Sequence, residues 1–359
     1  MEQLKQRVAW VDYAKGICIV LVVAMHSTLG VEKAAGSISA LHGFIDWARP
    51  FRMPDFFLIS GLFLASRIDR PWRGFLDSKV IHFAYFYVLW MSIQFLTKGH
   101  EIYQAAGAIG LLREYLTGFV EPFGTLWFIY MLAVFFPLTK ALKSVPPWMV
   151  CGAAAGLEMA HVSTGYTLVD EFAARYVYFF IGYWMAKRVF SLAAWVGGFG
   201  KLQISAGLLA WAMVNLAFVM AGLAQLPGLS LGLGLVGAMA VVSAGVLLSK
   251  FRVSAALRYC GQNSIVIYLA FFFFMATSRG LALRYLPGLG VSGVSGMATL
   301  AGITGPLMLF WATRNTRAAF LFRRPAWAML GARLADGEKG WHSASHVHHA
   351  ASALKPQTR

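Results

Sequence analysis

The chain has 359 residues, 58% of them hydrophobic and only 13% charged. That is too few charges to cover a soluble globule of this size, so the composition points to a polytopic membrane protein. The formal net charge of +16 does not indicate a nucleic-acid partner, because the Lys and Arg residues cluster between apolar runs, as in cytoplasmic loops.

The first run, 10–29, reads WVDYAKGICIVLVVAMHSTL. Lys5 and Arg7 precede it as in a signal peptide, but no clear small-residue cleavage site follows, so it reads as a retained first span. At about 100° per residue, Lys15 and His26 fall within roughly 20° of each other around the axis and Asp12 within about 40° of His26. They form one polar stripe. At about 1.5 Å per residue the imidazole stands roughly 16 Å from the ammonium, about half the hydrocarbon thickness.

Further apolar runs occur at 51–66, 80–97, 124–139, 148–163, 174–190, 203–222, 230–249, 264–283 and 291–313, which predicts an all-α protein of about ten transmembrane helices. The segment 103–120 is apolar but interrupted by Arg113 and Glu114, and is expected to be interfacial or re-entrant. With that count, Lys and Arg concentrate in alternate loops: Lys5, Arg7 and Lys15; Arg67, Arg70, Arg73 and Lys79; Lys140 and Lys143; Lys187, Arg188 and Lys201; Lys250, Arg252 and Arg258; Arg314, Arg317, Arg323 and Arg324. The positive-inside rule then puts both termini in the cytoplasm and His26 in the outer leaflet. The transmembrane domain is expected over 1–324 and a disordered cytoplasmic tail over 325–359. The tail's His342, His346, His348 and His349 lack a Cys or carboxylate frame, and no metal site is expected. Cys18, Cys151 and Cys260 have no metal-ligand spacing and are expected as free thiols.

A His inside a bilayer is costly and is a functional candidate, although a hydrogen-bonded core residue is the equal alternative on position alone. The second span weighs toward function. Its entry, RPFRMPDFFLISGLFLAS, brings Arg49, Arg52 and Asp55 in from the end where the first span puts His26. A ring with an Arg and a carboxylate nearby has the parts of a general base and its orienting partner. Glu158 and His161 share a helix face and could line an acceptor pocket or form a local pair. Trp127 and Tyr130 could stack on a ligand or anchor at the interface.

The set Asp12, Lys15-Gly16, ten residues from Lys15 and then His26, followed by RMPDFFLISG at 52–61, resembles the acyltransferase-3 membrane family, in particular its sugar O-acetylases and glucan-modifying members. TLWFIYML at 125–132, FFIGYW at 179–184 and GQNSIVIYL at 261–269 extend the resemblance in family order. It implies an inner-membrane enzyme that moves an acyl group, usually acetyl from cytoplasmic acetyl-CoA, to a hydroxyl of an extracytoplasmic glycan. It also implies that His26 is the catalytic histidine and Lys15 the membrane-proximal basic residue, with Arg52 where this clade has Arg or His before Met-Pro. Donor phosphates would meet Lys15, Arg73, Lys79 and His82. Two departures stand out. The family's Arg-x-x-Arg after the second span is replaced by Lys79 and His82, and Phe271 occupies a position that is often His. The other readings are a proton-coupled transporter or exporter of a small sugar or acid, against which no repeat of broken helices is visible, and a non-catalytic scaffold.

Overall fold

The computed structural model describes residues 8–251 and 255–330. Among these residues the chain is helical, without strands, and comprises α1 (Ala9–Ala35), α2 (His42–Leu62), α3 (Trp72–Leu76), α4 (His82–Thr117), α5 (Trp127–Ala141), α6 (Pro147–Met159), α7 (Thr167–Trp184), α8 (Ala186–Gly197), α9 (Lys201–Met220), α10 (Leu229–Ser249), α11 (Ala255–Gln262), α12 (Ser264–Tyr285) and α13 (Gly290–Thr313). The first helix is central and packs against α2, α10, α11, α12 and α13.

Seven stretches among the described residues are long and apolar enough to cross a membrane, starting at Ala9, Trp72, Gly124, Lys201, Leu229, Ser264 and Pro287. The expected runs at 51–66, 148–163 and 174–190 do not meet that standard. The helix over 148–163, α6, has 13 residues, about 20 Å against a hydrocarbon core of about 30 Å. The other two fall on α2 and α7, which carry Arg49, Arg52 and Asp55, and Asp170, Glu171 and Arg175. These two charged helices pack on each other.

Their contact is close because each offers a glycine. A Cβ on Gly61 would lie 2.1 Å from the Phe179 carbonyl oxygen, and one on Gly182 would lie 2.1 Å from the Leu58 carbonyl oxygen. Backbones can approach this closely only where both helices lack side chains. Nearer the start of α2, Asn215 of α9 is fully buried and donates to the Trp47 carbonyl at 2.8 Å, while the Trp47 indole donates to the Ala212 carbonyl at 3.1 Å. This pair bonds an otherwise outlying, apolar α9 to the bundle.

The segment 103–120 is not one continuous helix. At Gly107 (φ 66°, ψ −172°) the helix of α4 breaks, and the chain folds back along its own first part. Tyr115 reaches Ser92 with its hydroxyl at 2.9 Å and packs on Phe95 with ring centroids 5.1 Å apart, and the Tyr87 hydroxyl donates to the Gly118 carbonyl. The ten residues after Gly107 rise only about 15 Å, half the bilayer core, and return to the end they left.

At the Lys15 end, Arg324 and Asp77 form a buried ion pair with Nη2 to Oδ2 at 2.7 Å, and the Leu330 backbone N–H donates to Asp77 Oδ1 at 2.8 Å. Residues 325–330, at the start of the expected tail, are thus held against the turn that follows α3. The remainder of that tail, with its four histidines, lies outside the described residues, as do Lys5, Arg7 and Arg252.

At the His26 end, ahead of the apolar stretch of α2, half-buried His42 bridges two carboxylates: Nδ1 to Glu32 at 2.9 Å and Nε2 to Asp46 at 3.4 Å. The hydrogen bond to Glu32 holds this imidazole's pKa above its ordinary value of 6.5. With the folded value raised, the bridge stabilises the fold fully below about pH 6.5 and is lost as pH rises through the raised value. Thermal unfolding in detergent should therefore show a His42→Gln penalty at pH 5.5 that shrinks by pH 8.5. A penalty independent of pH would assign the bridge no electrostatic part.

Candidate active site

A cavity of about 230 Å³ lies at the His26 end, lined by Val22, Met25 and His26 of α1, Arg52, Met53 and Phe56 of α2, Thr125, Trp127 and Phe128 at the start of α5, Glu171 and Arg175 of α7, and Tyr268 of α12. The helical period explains the lining. Residues 22, 25 and 26 share one face of α1, as 52 and 56 do on α2 and 171 and 175 on α7. Tyr268 ties α12 to α5: its hydroxyl donates to the Thr125 carbonyl and accepts from the Phe128 backbone N–H at 3.2 Å.

Neither ring nitrogen of His26 has a hydrogen-bond partner among the described residues, and the ring packs on Phe271 with centroids 5.3 Å apart. The position that is often His in the resembled family thus falls directly against His26, and here it supplies a ring face in place of a second imidazole. The Arg52 side chain is only 8% exposed. Its Nη1 donates to the Ile45 carbonyl at 3.3 Å, while Nε is buried without a partner. Taking a guanidinium out of water without a paired anion costs on the order of several kcal/mol, which marks a group held ready for charge that arrives with a ligand or a transition state.

Asp55 is not brought into this cavity. It is 1% exposed, with no hydrogen-bond partner for either carboxylate oxygen, and lies within electrostatic reach of Cys18. Three residues on from Arg52, it projects about 60° to the other side of α2 from Phe56's 40°. The expected orienting carboxylate for His26 is therefore absent from the cavity. The carboxylate that does line it, Glu171, is committed to Arg175 by a 3.0 Å bond to Nε.

The remaining candidates separate into groups. Arg49 is exposed and acts on Arg52 only through space, as do Arg175 and Asp46. Tyr130 donates to the Phe119 carbonyl at 3.0 Å and does not line the cavity. Glu158 and His161 do not line it either. Glu158 accepts from Ser230 Oγ at 2.9 Å and from the Tyr178 hydroxyl at 3.3 Å, and His161 Nε2 lies 3.4 Å from the same Ser230 Oγ.

At the opposite end, buried Asp12 accepts from Gln262 Nε2 at 3.1 Å and pairs with Arg258 Nε at 3.4 Å, so it fastens α1 to α11. Lys15 stands over the Phe63 ring at 5.2 Å and Lys79 over the Phe136 ring at 4.4 Å. The charges of Lys15, Arg67 and Arg70 act on Lys79, which makes a basic cluster. Nearby, His82 packs on Phe86 with centroids 5.1 Å apart, and Arg73 reaches the Leu330 carbonyl at 3.4 Å. On α1 the cavity lining ends at Val22; Cys18 and Ile19, between it and Lys15, are fully buried.

Glu171 and Arg175 were missed as site residues by sequence reasoning, as were Tyr268, Thr125 and Phe128. A usable signal existed for the first two: an acid and a base four apart at the start of an apolar helix share a face and pair. No pattern in the sequence points Tyr268 at α5.

A family described as "Acyltransferase domain" matches residues 8–313, which takes in all the lining residues. A relative, the inner membrane protein YcfT of Escherichia coli (strain K12), is 24% identical over 292 residues, covering 74% of this chain and 79% of the relative. No solved structure matches the chain. With most of the helical bundle inside the matched region, the chain belongs to the acyltransferase-3 family of membrane acyltransferases.

Proposed function

We propose that the protein is an O-acyltransferase that moves an acyl group, acetyl from acetyl-CoA, across the membrane to a hydroxyl of a carbohydrate at the His26 end. One observation carries the reading. An imidazole and a buried guanidinium, both with unpartnered nitrogens, line the same cavity among aromatic rings suited to a sugar face. The excess of Lys and Arg in the loops at the Lys15 end supports a cytoplasmic position for that end, where the cluster of Lys15, Lys79 and Arg67 meets the donor's phosphates.

In the reaction, an imidazole nitrogen of His26 takes the proton of the acceptor hydroxyl, whose oxygen attacks the acyl carbonyl carbon. Arg52 donates to the oxyanion of the tetrahedral intermediate. Collapse breaks the carbon–sulfur bond, and the leaving thiolate takes the proton back from the imidazolium. The ester and free CoA are the products.

The test is full-length protein in nanodiscs with acetyl-CoA and simple glycosides, reading free CoA and acetylated glycoside by mass spectrometry. Loss of one donor to a developing oxyanion typically costs about 10²–10³ in kcat, so Arg52→Gln should lower turnover by that factor while the protein still unfolds cooperatively. Proton-coupled sugar flux into liposomes without any acetyl-CoA consumption would replace this reading with a transporter.

A further inference from the structure

The cavity holds more cationic hydrogen-bonding capacity than acyl transfer to a neutral hydroxyl requires. Arg175 meets Glu171 side-on through Nε alone, so both terminal amino groups of its guanidinium lack a partner among the described residues. Arg52, 92% buried, uses one amino group on a backbone carbonyl and leaves Nε unsatisfied. The lining therefore carries two guanidiniums against one carboxylate.

The α2–α7 packing sets the two Arg residues at one level. From the Gly61–Gly182 crossing, Arg52 lies nine residues up α2 and Arg175 seven residues up α7, about 13 and 10 Å of rise. Both helices run in the same direction from the His26 end. The oxyanion needs one donor group beside His26, and Arg52 supplies it. The open end of Arg175 remains, a planar fork whose geometry matches a carboxylate or a phosphate. Donor phosphates do not account for it, since the basic cluster around Lys15 and Lys79 stands at the other end of α1. Trp127 and Phe128 border the same space and offer apolar faces to a sugar ring.

We propose that the acceptor is an acidic sugar, carrying a carboxylate or phosphate that Arg175 holds while His26 meets the hydroxyl. This inference rests on the acyl-transfer reading for the identity of the step, and on the Arg175 fork for the charge of the ligand. Glu171 positions the fork and, through its own negative charge, weakens the anion's binding.

The experiment measures binding by calorimetry on full-length protein in nanodiscs with three probes: methyl β-D-glucuronide, methyl β-D-glucoside 6-phosphate and neutral methyl β-D-glucoside. A bidentate charged contact should make at least one acidic probe bind about tenfold or more tightly than the neutral one, and which acidic probe it is distinguishes carboxylate from phosphate. Arg175→Gln should erase the preference, Arg175→Lys should keep part of it, and Glu171→Gln should strengthen it. Equal binding of all three probes, or a preference that survives Arg175→Gln, overturns the proposal. Thermal unfolding of each variant separates loss of the fork from loss of the fold, and the gain expected for Glu171→Gln cannot arise from misfolding. Adding acetyl-CoA to the same samples tests the parent reading separately: a charge preference without acetyl transfer upholds the anion site and removes the transferase reading.

Discussion

His26→Ala should lower acetyl transfer by about 10²–10⁴-fold, the range expected when a positioned general base is removed. The loss should appear in kcat, because the ring is needed only as the hydroxyl gives up its proton. Because His26 has no hydrogen-bond partner among the described residues and touches Phe271 through its ring face, its removal breaks no polar network. Thermal unfolding should therefore move little, and His26→Gln, which fills more of the space, should be as inactive as the alanine variant. The readout is acetylated glycoside per minute at saturating acetyl-CoA, with unfolding recorded on the same samples. Turnover within tenfold of the parent protein would remove His26 from the chemistry and leave it a packing residue. The Phe271 contact adds a second arm: Phe271→His places another imidazole beside His26, so any effect on the pH dependence of turnover reports on that neighbour directly.

That α1 and α2 meet at His26 and Arg52 was legible because helical spacing is simple arithmetic: one stripe on one apolar run, followed by a short return. The limits of that arithmetic show at Asp55. It was grouped with Arg52 by sequence proximity, yet three residues along α2 rotate it out of the face that carries Arg52 and Phe56, and it ends buried away from the cavity. Glu171 lies outside the apolar run at 174–190, because a window seeking continuous apolar residues begins α7 only after its charged first turn. The same window counts a span over 148–163, where α6 has only 13 helical residues. The helices that fail an apolarity test, α2 and α7, are the ones that deliver Arg52, Glu171 and Arg175, so the charges that weaken the membrane signal are what the cavity needs. Tyr268 illustrates a different limit. Its role depends on where α12 and α5 touch, a tertiary fact with no local periodicity behind it.

Gly182→Val should be strongly damaging although the residue does not line the cavity. The first atom of any side chain there meets the Leu58 carbonyl oxygen at 2.1 Å and the Leu58 Cα at 3.0 Å. Both are backbone atoms of a helix, and neither can turn aside as a flexible side chain would. To reach ordinary contact, α2 and α7 must separate by more than an ångström or slide past each other. Either motion shifts Arg52 relative to Arg175 and His26, and a misplacement of about 1 Å in a reacting constellation costs on the order of 10²-fold. Overpacking of a well-filled core costs about 1–3 kcal/mol for added methylenes that side chains can accommodate, so a clash against backbone should exceed that range. The expected result is a clearly lowered unfolding temperature, together with at least a hundredfold loss of acetyl transfer in whatever protein folds. Gly61→Val, the reciprocal change, should behave alike, because its Cβ would meet the Phe179 carbonyl oxygen at the same 2.1 Å. Gly152→Ala on α6 is the control, since a Cβ there meets nothing within 4 Å and should leave both measurements where they were. If Gly182→Val instead retained full activity and stability, the close crossing of α2 and α7 would not be what holds the two guanidiniums at the same level.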